Sequence, residues 1–202
     1  MKQLLSFGCA LASLSLVADT ITLRGNDPAG QSSFVTNVTG SAIGWSNQQA
    51  PSSEHDYVVN GSKLTLRTPT DAASATRHTF VGKSLEIKGG AYLRVDTRSP
   101  ASVDVGPDLR LTSGNFGSMD GWSQNSKNAE FYGTVSIGAT SASSASFNTV
   151  LSGTWTYHVA VTGGADKAFR LHNNAAIDTY TGGGGCYVRS YAYNATVVFD
   201  GD

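Results

Sequence analysis

The residues best suited to chemistry are six charged side chains, three basic and three acidic, that are interspersed over a short stretch: Arg94, Asp96, Arg98, Asp104, Asp108 and Arg110. Carboxylates on neighbouring strands can hold calcium, and a basic residue beside them can remove a proton from an acidic polysaccharide. That chemistry requires the acids to face one groove. Alternating charges are equally typical of solvated strand faces with cross-strand ion pairs. We favour this second interpretation and expect no catalytic residue and no enzymatic activity.

Two groups of aromatic residues have the chemistry to stack on sugar rings: Trp45, Trp122 and Trp155, and the cluster Tyr187, Tyr191 and Tyr193. Residues 187–193 alternate, so one strand face would carry Tyr, Arg, Tyr and Tyr. Packing in the core is the competing interpretation, because aromatic side chains bury large areas. The sequence therefore leaves the ligand-binding residues unknown.

Metal and phosphate sites are not indicated. The four histidines, His55, His78, His158 and His172, do not stand at a metal-ligand spacing such as H-E-x-x-H. The glycine run 182–185 lacks the strand-to-helix context that phosphate binding needs. We expect no metal and no cofactor.

The composition favours short strands joined by turns. Only 14% of the 202 residues are charged, where about 25% is usual, and the 23 glycines disfavour long helices. Hydrophobic residues make up 40% of the chain, which excludes a disordered protein. A formal net charge of -1 without a basic patch argues against nucleic acid and anionic lipid as partners.

The N-terminus predicts export. Lys2 precedes an apolar run over residues 4–17, and Ala18 precedes the polar Asp19, as in a secretory signal peptide over residues 1–18. The run is too short to span a membrane. We expect a secreted or surface-displayed mature chain without a membrane-spanning segment. A buried first strand or helix is the alternative.

Pairs of alternating apolar residues recur along the chain: Leu64/Leu66, Leu85/Ile87, Leu109/Leu111, Val135/Ile137 and Val159/Val161. A repeat of about 20–50 residues is typical of stacked architectures. In a parallel β-helix, such pairs would stack into one continuous core, with about 4.8 Å between strands. An antiparallel β-sandwich or jelly roll, with turns such as Asn60-Gly61 between its strands, would show the same pattern.

One segment resembles the opening of bacterial autotransporter-type repeat passengers, which are large surface proteins. The segment consists of Gly44-Trp45-Ser46, Ala50-Pro51, Asp56-Tyr57-Val58-Val59-Asn60-Gly61 and Leu64-Thr65-Leu66-Arg67-Thr68-Pro69. Thr79-Phe80-Val81-Gly82-Lys83-Ser84-Leu85-Glu86-Ile87 is similar to the next coil in such proteins. The resemblance implies an all-β, right-handed parallel β-helix, export and surface display. It implies no catalytic residues.

These observations predict a division into a signal peptide (1–18), an N-terminal cap with the first strands (19–60) and β-solenoid coils (61–202). The leading hypothesis is a non-enzymatic surface scaffold or adhesin-like segment of a bacterial protein, with glycans, other surface proteins or the rest of a longer passenger chain as partners. A polysaccharide-processing β-helix lyase or hydrolase and a sugar-binding β-sandwich are the alternatives. Because residues 194–199 read as an uncovered strand, we also expect a longer solenoid or a shortened relative of one.

Overall fold

The part of the chain that the structure describes is all-β. The structure, a computed structural model, describes residues 18–40, 42–69, 77–95, 101–106, 108–112, 115–119, 129–137, 145–149, 153–162, 169–173, 186–190 and 195–199. No helix occurs within these ranges. The predicted signal peptide, apart from Ala18, lies outside them.

Fifteen strands lie within the described ranges, and most of them contain five residues or fewer. In chain order they are β1 (Thr20–Thr22), β2 (Asp56–Asn60), β3 (Thr65–Arg67), β4 (Arg77–Thr79), β5 (Ser84–Lys88), β6 (Tyr92–Val95), β7 (Ala101–Asp104), β8 (Leu109–Thr112), β9 (Asn115–Met119), β10 (Ala129–Ile137), β11 (Ala145–Thr149), β12 (Gly153–Thr162), β13 (Phe169–Asn173), β14 (Cys186–Ser190) and β15 (Ala195–Phe199).

The strands form two parallel sheets, and the chain passes repeatedly from one sheet to the other. Nine strands form one sheet, with the continuous order β1-β2-β5-β8-β10-β12-β15 and with β4 and β7 beside it; the other six follow the order β3-β6-β9-β11-β14-β13. Every ladder between described strands is parallel, and the strands curl into a half-barrel. Parallel neighbours require the chain to leave a sheet and return to it. Here each excursion includes a strand of the second sheet: β3 and then β4 lie in the chain between the paired strands β2 and β5, and β6 and then β7 lie between β5 and β8.

The alternative prediction of an antiparallel β-sandwich or jelly roll is wrong for the described strands. The turn at Asn60-Gly61 shows the physical reason, because β2 and β3 on its two sides belong to different sheets and do not pair. The turn is a corner that stacks on the next corner: the Gly61 amide donates to the Lys88 carbonyl, and the Lys63 amide donates to the Gly90 carbonyl. A corner and a hairpin use the same turn residues, so sequence alone does not separate them.

The core is built from residues that face inward at equivalent positions of neighbouring strands. Leu85 lies opposite Leu109 and Ile87 opposite Leu111, and these in turn lie opposite Val135 and Ile137 of β10. Leu85, Leu109 and Val135 are fully buried. The predicted stacking of these three apolar pairs is therefore confirmed in strand register, and the burial of Leu85, Ile87, Leu109, Leu111 and Val135 agrees with it.

The first and last pairs of the predicted stack are placed differently. Leu66 lies opposite Leu93 in the six-stranded sheet, while Tyr57 and Val59 of β2 occupy the positions beside Leu85 and Ile87. Val161 lies opposite Val135, so the last pair is displaced by two residues from its predicted register. Both errors arise because a two-residue period repeats in every strand of either sheet and does not mark which strands are neighbours.

The segment before β2 closes the outer edge of β1. The Ser46 amide donates to the Thr22 carbonyl at 2.8 Å, the Arg24 amide donates to the Gly44 carbonyl at 3.0 Å, and Leu23 and Trp45 form an antiparallel bridge. An uncovered strand edge would pair with other chains. These contacts cover the C-terminal end of β1 and the residues that follow it, at one edge of the nine-stranded sheet.

The same segment covers β3 through a buried carboxylate. Asp27 accepts hydrogen bonds from the amide and hydroxyl of Ser33 (2.9 and 2.6 Å) and from the Arg67 amide (2.9 Å). Burial raises the pKa of the Asp27 carboxyl above its ordinary value, and the hydrogen bonds from Arg67 and Ser33 oppose this effect. Ser32 donates to the Arg67 carbonyl at 2.6 Å, so the loop replaces the missing neighbour of β3.

Four buried aromatic rings join this N-terminal segment to the sheets: Phe34, Trp45, Tyr57 and Phe80. The Trp45 and Tyr57 rings meet edge to face at 4.8 Å, and the Tyr57 and Phe80 rings at 5.4 Å. The Trp45 indole N–H donates to the Ser33 carbonyl at 2.7 Å. Such contacts contribute beyond simple area burial, so the segment is tightly anchored to the core.

Candidate functional site

A groove runs across the outer face of the nine-stranded sheet over β2, β5 and β8. Its volume is about 320 Å³, which is at the lower end of the about 300–1,000 Å³ found for small-molecule sites. The residues that line it are Thr20, Asp56, Tyr57, Val58, Ser84, Leu85, Glu86, Lys88, Asp108 and Arg110.

Strand alternation supplies the polar side chains of the groove. Because Tyr57, Leu85 and Leu109 point into the core, the residues on either side of them in the chain project outward. The register then brings residues from distant parts of the sequence together. Ser84 lies opposite Asp56, and Glu86 lies opposite Arg110.

Short polar contacts hold the side chains of the groove in place. The Ser84 hydroxyl donates to the Asp56 carboxylate at 2.6 Å, and Lys83 lies 3.6 Å from the other oxygen of the same carboxylate. Lys88 and Glu86 form an ion pair at 2.8 Å. At the far side, the Ser136 hydroxyl is 3.5 Å from the Asp108 carboxylate. The groove therefore presents carboxylate acceptors and cationic donors side by side.

The groove has the chemistry of a binding surface. Its carboxylates and cations can exchange hydrogen bonds with a polar ligand, and the half-buried Val58 supplies an apolar contact. Ser84 donates to a carboxylate, whereas a nucleophilic serine needs a base, usually a histidine, that is oriented by a third group. No histidine or cysteine is among the residues that line the groove.

A second cluster lies on the outer face of β4, β10 and β12, around the half-buried Tyr132. Arg77 covers one face of the Tyr132 ring at 3.5 Å from its centroid, and the His158 ring stacks at 4.7 Å with an interplanar angle of 16°. The Tyr132 hydroxyl donates to Glu130 at 2.8 Å; this hydrogen bond, with a smaller contribution from burial, raises the pKa of Tyr132. Because β4 and β12 lie on opposite sides of β10, both faces of the ring are occupied. The groove is therefore the better candidate for a ligand.

The structure separates the six charged residues that the sequence singled out. Arg94 lies in β6 of the six-stranded sheet, whereas Asp108 and Arg110 line the groove on the other sheet. Asp104 ends β7 and accepts a hydrogen bond from the Gly106 amide at 2.9 Å. Asp96 and Arg98 lie outside the described residues.

The aromatic candidates for sugar stacking are not brought together in the described structure. Trp45 is completely buried in the N-terminal segment, as its alternative interpretation as a core residue expects. Trp155 and Tyr187 lie in β12 and β14, where only their backbone positions are described. Trp122, Tyr191 and Tyr193 lie outside the described residues, as does the glycine run 182–185.

The histidines occupy separate elements. His55 precedes β2, His78 lies in β4, His158 in β12 and His172 in β13. Within the described ranges, no three His, Cys, Asp or Glu side chains are grouped so that they could hold a metal ion.

A search of the same part of the chain for membrane-spanning helices identifies none that is sufficiently long and apolar.

Comparison of the chain with protein-family models, with curated proteins and with solved structures finds no match.

Sequence reasoning missed the contribution of β5 to the groove, namely Ser84, Glu86 and Lys88. A signal for it exists in three short segments, Asp56-Tyr57-Val58-Val59-Asn60, Ser84-Leu85-Glu86-Ile87-Lys88 and Asp108-Leu109-Arg110-Leu111-Thr112. When these segments are aligned on their apolar pairs, a polar residue precedes each pair, lies within it and follows it. The one exception is Val58, which lies between Tyr57 and Val59. The aligned residues outside and between the pairs are those that project outward in rows across the groove.

Proposed function

We propose that the chain is an exported, non-enzymatic surface scaffold or adhesin-like segment, built as a right-handed parallel β-helix. The observation that carries this proposal is the ladder from β2 through β5 and β8 to β10, in which apolar residues lie at equivalent positions and outward residues are mostly polar. Stacked coils with such a ladder extend in one direction and present long outer faces. Long, regular faces suit a protein that displays or contacts other surface molecules.

The alternation of the chain between two sheets supports a solenoid. Four consecutive units, β2-β3-β4, β5-β6-β7, β8-β9 and β10-β11, each begin with a strand of the nine-stranded sheet followed by a strand of the six-stranded sheet; β4 and β7 add a further strand to the first two units. Each repeat adds one parallel neighbour to both sheets. The resemblance of residues 44–90 to autotransporter-type passengers agrees with this arrangement and motivates a bacterial cell surface as the location.

Export is tested by expressing the full chain and sequencing the N-terminus of the protein recovered outside the cytoplasm. We expect the mature protein to begin near Asp19 and to be digested when protease is added to intact cells. A cytoplasmic protein that retains Met1 and resists protease in intact cells would refute export and surface display.

The absence of enzymatic activity is tested with neutral and uronic-acid polysaccharides, with and without calcium. We expect no new reducing ends and no unsaturated products. Turnover by the wild-type chain that disappears in the Asp104→Ala or Asp108→Ala variant would contradict this part of the proposal and favour a polysaccharide lyase or hydrolase.

A further inference from the structure

We propose that the groove over β2, β5 and β8 is a binding site for a neutral polysaccharide, whose sugar rings lie across the three strands. The inference rests on the proposed function in one respect only, namely that an adhesive scaffold needs a ligand on another surface. The groove itself supplies the arguments for the chemistry of the ligand.

The carboxylates of the groove are placed to accept hydrogen bonds from hydroxyl groups. The contact between the Ser84 hydroxyl and Asp56, at 2.6 Å, has the length of a charge-assisted O–H···O⁻ bond. An ionised carboxylate is an acceptor only and has about four lone-pair sites. Asp56, Glu86 and Asp108 therefore keep acceptor capacity for further hydroxyl donors, and sugar rings carry such donors on every side.

The balance of charges selects against a polyanion. Three carboxylates line the groove together with two cations, Lys88 and Arg110, and Lys83 lies beside Asp56. The groove therefore has no excess of positive charge, and phosphates or uronic acids would lie against its three carboxylates without a surplus of cations to offset the repulsion. The two cations can donate to ring and hydroxyl oxygens of a neutral sugar.

The charge pattern also disfavours a metal ion. Lys83 already lies 3.6 Å from Asp56, and Lys88 lies 2.8 Å from Glu86. A divalent cation would have to displace these ammonium groups from the carboxylates. It would also lack a grouped set of ligands within the described part of the chain.

The position of the groove disfavours an extended peptide that binds as an added strand. Such binding requires a free strand edge, but β5 is hydrogen-bonded to β2 on one side and to β8 on the other. The strands instead form a ridged floor with about 4.8 Å between ridges. A chain of linked rings laid across this floor meets a new set of outward side chains at each strand.

The test measures binding of the whole chain to defined hexasaccharides by isothermal titration calorimetry. The neutral probes are cellohexaose, mannohexaose and chitohexaose; the comparison probes are hexagalacturonate, inorganic phosphate and calcium chloride. The groove variants are Asp108→Asn and Arg110→Gln, which change exposed side chains. The matched controls, Glu130→Gln and Arg77→Gln, make the same kinds of change on the outer face around Tyr132.

We expect at least one neutral hexasaccharide to bind to the wild-type protein. Each groove variant should raise the Kd for that hexasaccharide by about tenfold or more, because each removes a hydrogen bond to a charged group. The control variants should keep the wild-type Kd, and all four variants should keep the wild-type circular dichroism spectrum. The inference fails if no neutral probe binds, if hexagalacturonate, phosphate or calcium binds more tightly, or if the controls weaken binding as much as the groove variants.

The two proposals fail separately. A chain that is exported and displayed but binds no neutral hexasaccharide would retain the scaffold function and refute the site. A chain that remains in the cytoplasm but binds a hexasaccharide in the groove would retain the site and refute the scaffold function.

Discussion

The substitution Leu85→Ala tests the ladder on which the fold depends. Leu85 is fully buried and lies between Tyr57 of β2 and Leu109 of β8, which are also fully buried. Complete burial of a leucine stabilises the folded state by about 1.5–3 kcal/mol, and a residual cavity increases the loss. Strands that are hydrogen-bonded on both sides cannot collapse into the space. We therefore expect a cost in the upper part of the about 2–5 kcal/mol observed for Leu→Ala changes.

The measurement is urea denaturation, with the free energy of unfolding compared at unchanged m-value. Val81→Ala is the matched control, because Val81 is 50% exposed and lies only a few residues before Leu85. Its cost should stay within about 0.5 kcal/mol. If Leu85→Ala costs no more than Val81→Ala, the ladder of buried residues described above does not stabilise the protein. Leu85→Asp should be more severe than Leu85→Ala, because it buries a charge without a partner.

Two further predictions concern the N-terminal segment. The folded-state pKa of Asp27 is raised, so its contribution to stability is fully present below the unfolded pKa near 3.8 and is lost as the pH rises through the folded pKa. The stability of the wild type relative to Asp27→Asn, measured by denaturation at several pH values, should therefore fall over this window, and a constant difference would contradict the burial effect. Gly44 has φ +71°, and a Cβ there would collide with the Val38 carbonyl oxygen. Gly44→Ala should thus cost about 1–3 kcal/mol in urea denaturation, whereas no measurable cost would show that the loop adjusts freely.

Strand positions were predictable where apolar residues alternate over several positions. Residues 56–59 and 84–88 could be assigned as strands, because alternation between a buried and an exposed face leaves a direct trace in the sequence. The stacking of Leu85 on Leu109 also followed from the repeat. The assignment of Leu66 to the other sheet did not follow, since it depends on a corner at Asn60-Gly61 that uses the residues of a hairpin.

The residues of the groove were harder to predict from the sequence than the residues of the core. Asp108 and Arg110 are candidates from the sequence because they belong to a stretch of interspersed acidic and basic residues. In the structure, the residues of that stretch are divided between two sheets. Their partners in the groove, Asp56 and Glu86, are distant in sequence and come close only through the register of β2, β5 and β8. Register depends on how many residues each turn contains, and turn length has no signature in composition or charge.

The register that aligns buried residues of neighbouring strands into a continuous core also aligns the residues between them into continuous rows on the outer face. The row that contains Glu86 and Arg110 in the groove extends in register to Ser136 of β10 and Thr162 of β12. Next to the groove, the Ser136 hydroxyl lies 3.5 Å from Asp108, and a hydroxyl group can donate to and accept from a neutral sugar chain. A polysaccharide bound in the groove would therefore meet a compatible side chain if it continued onto β10. Binding of a polymer through repeated weak contacts along such a row would raise the overall affinity, which agrees with the proposed adhesive scaffold.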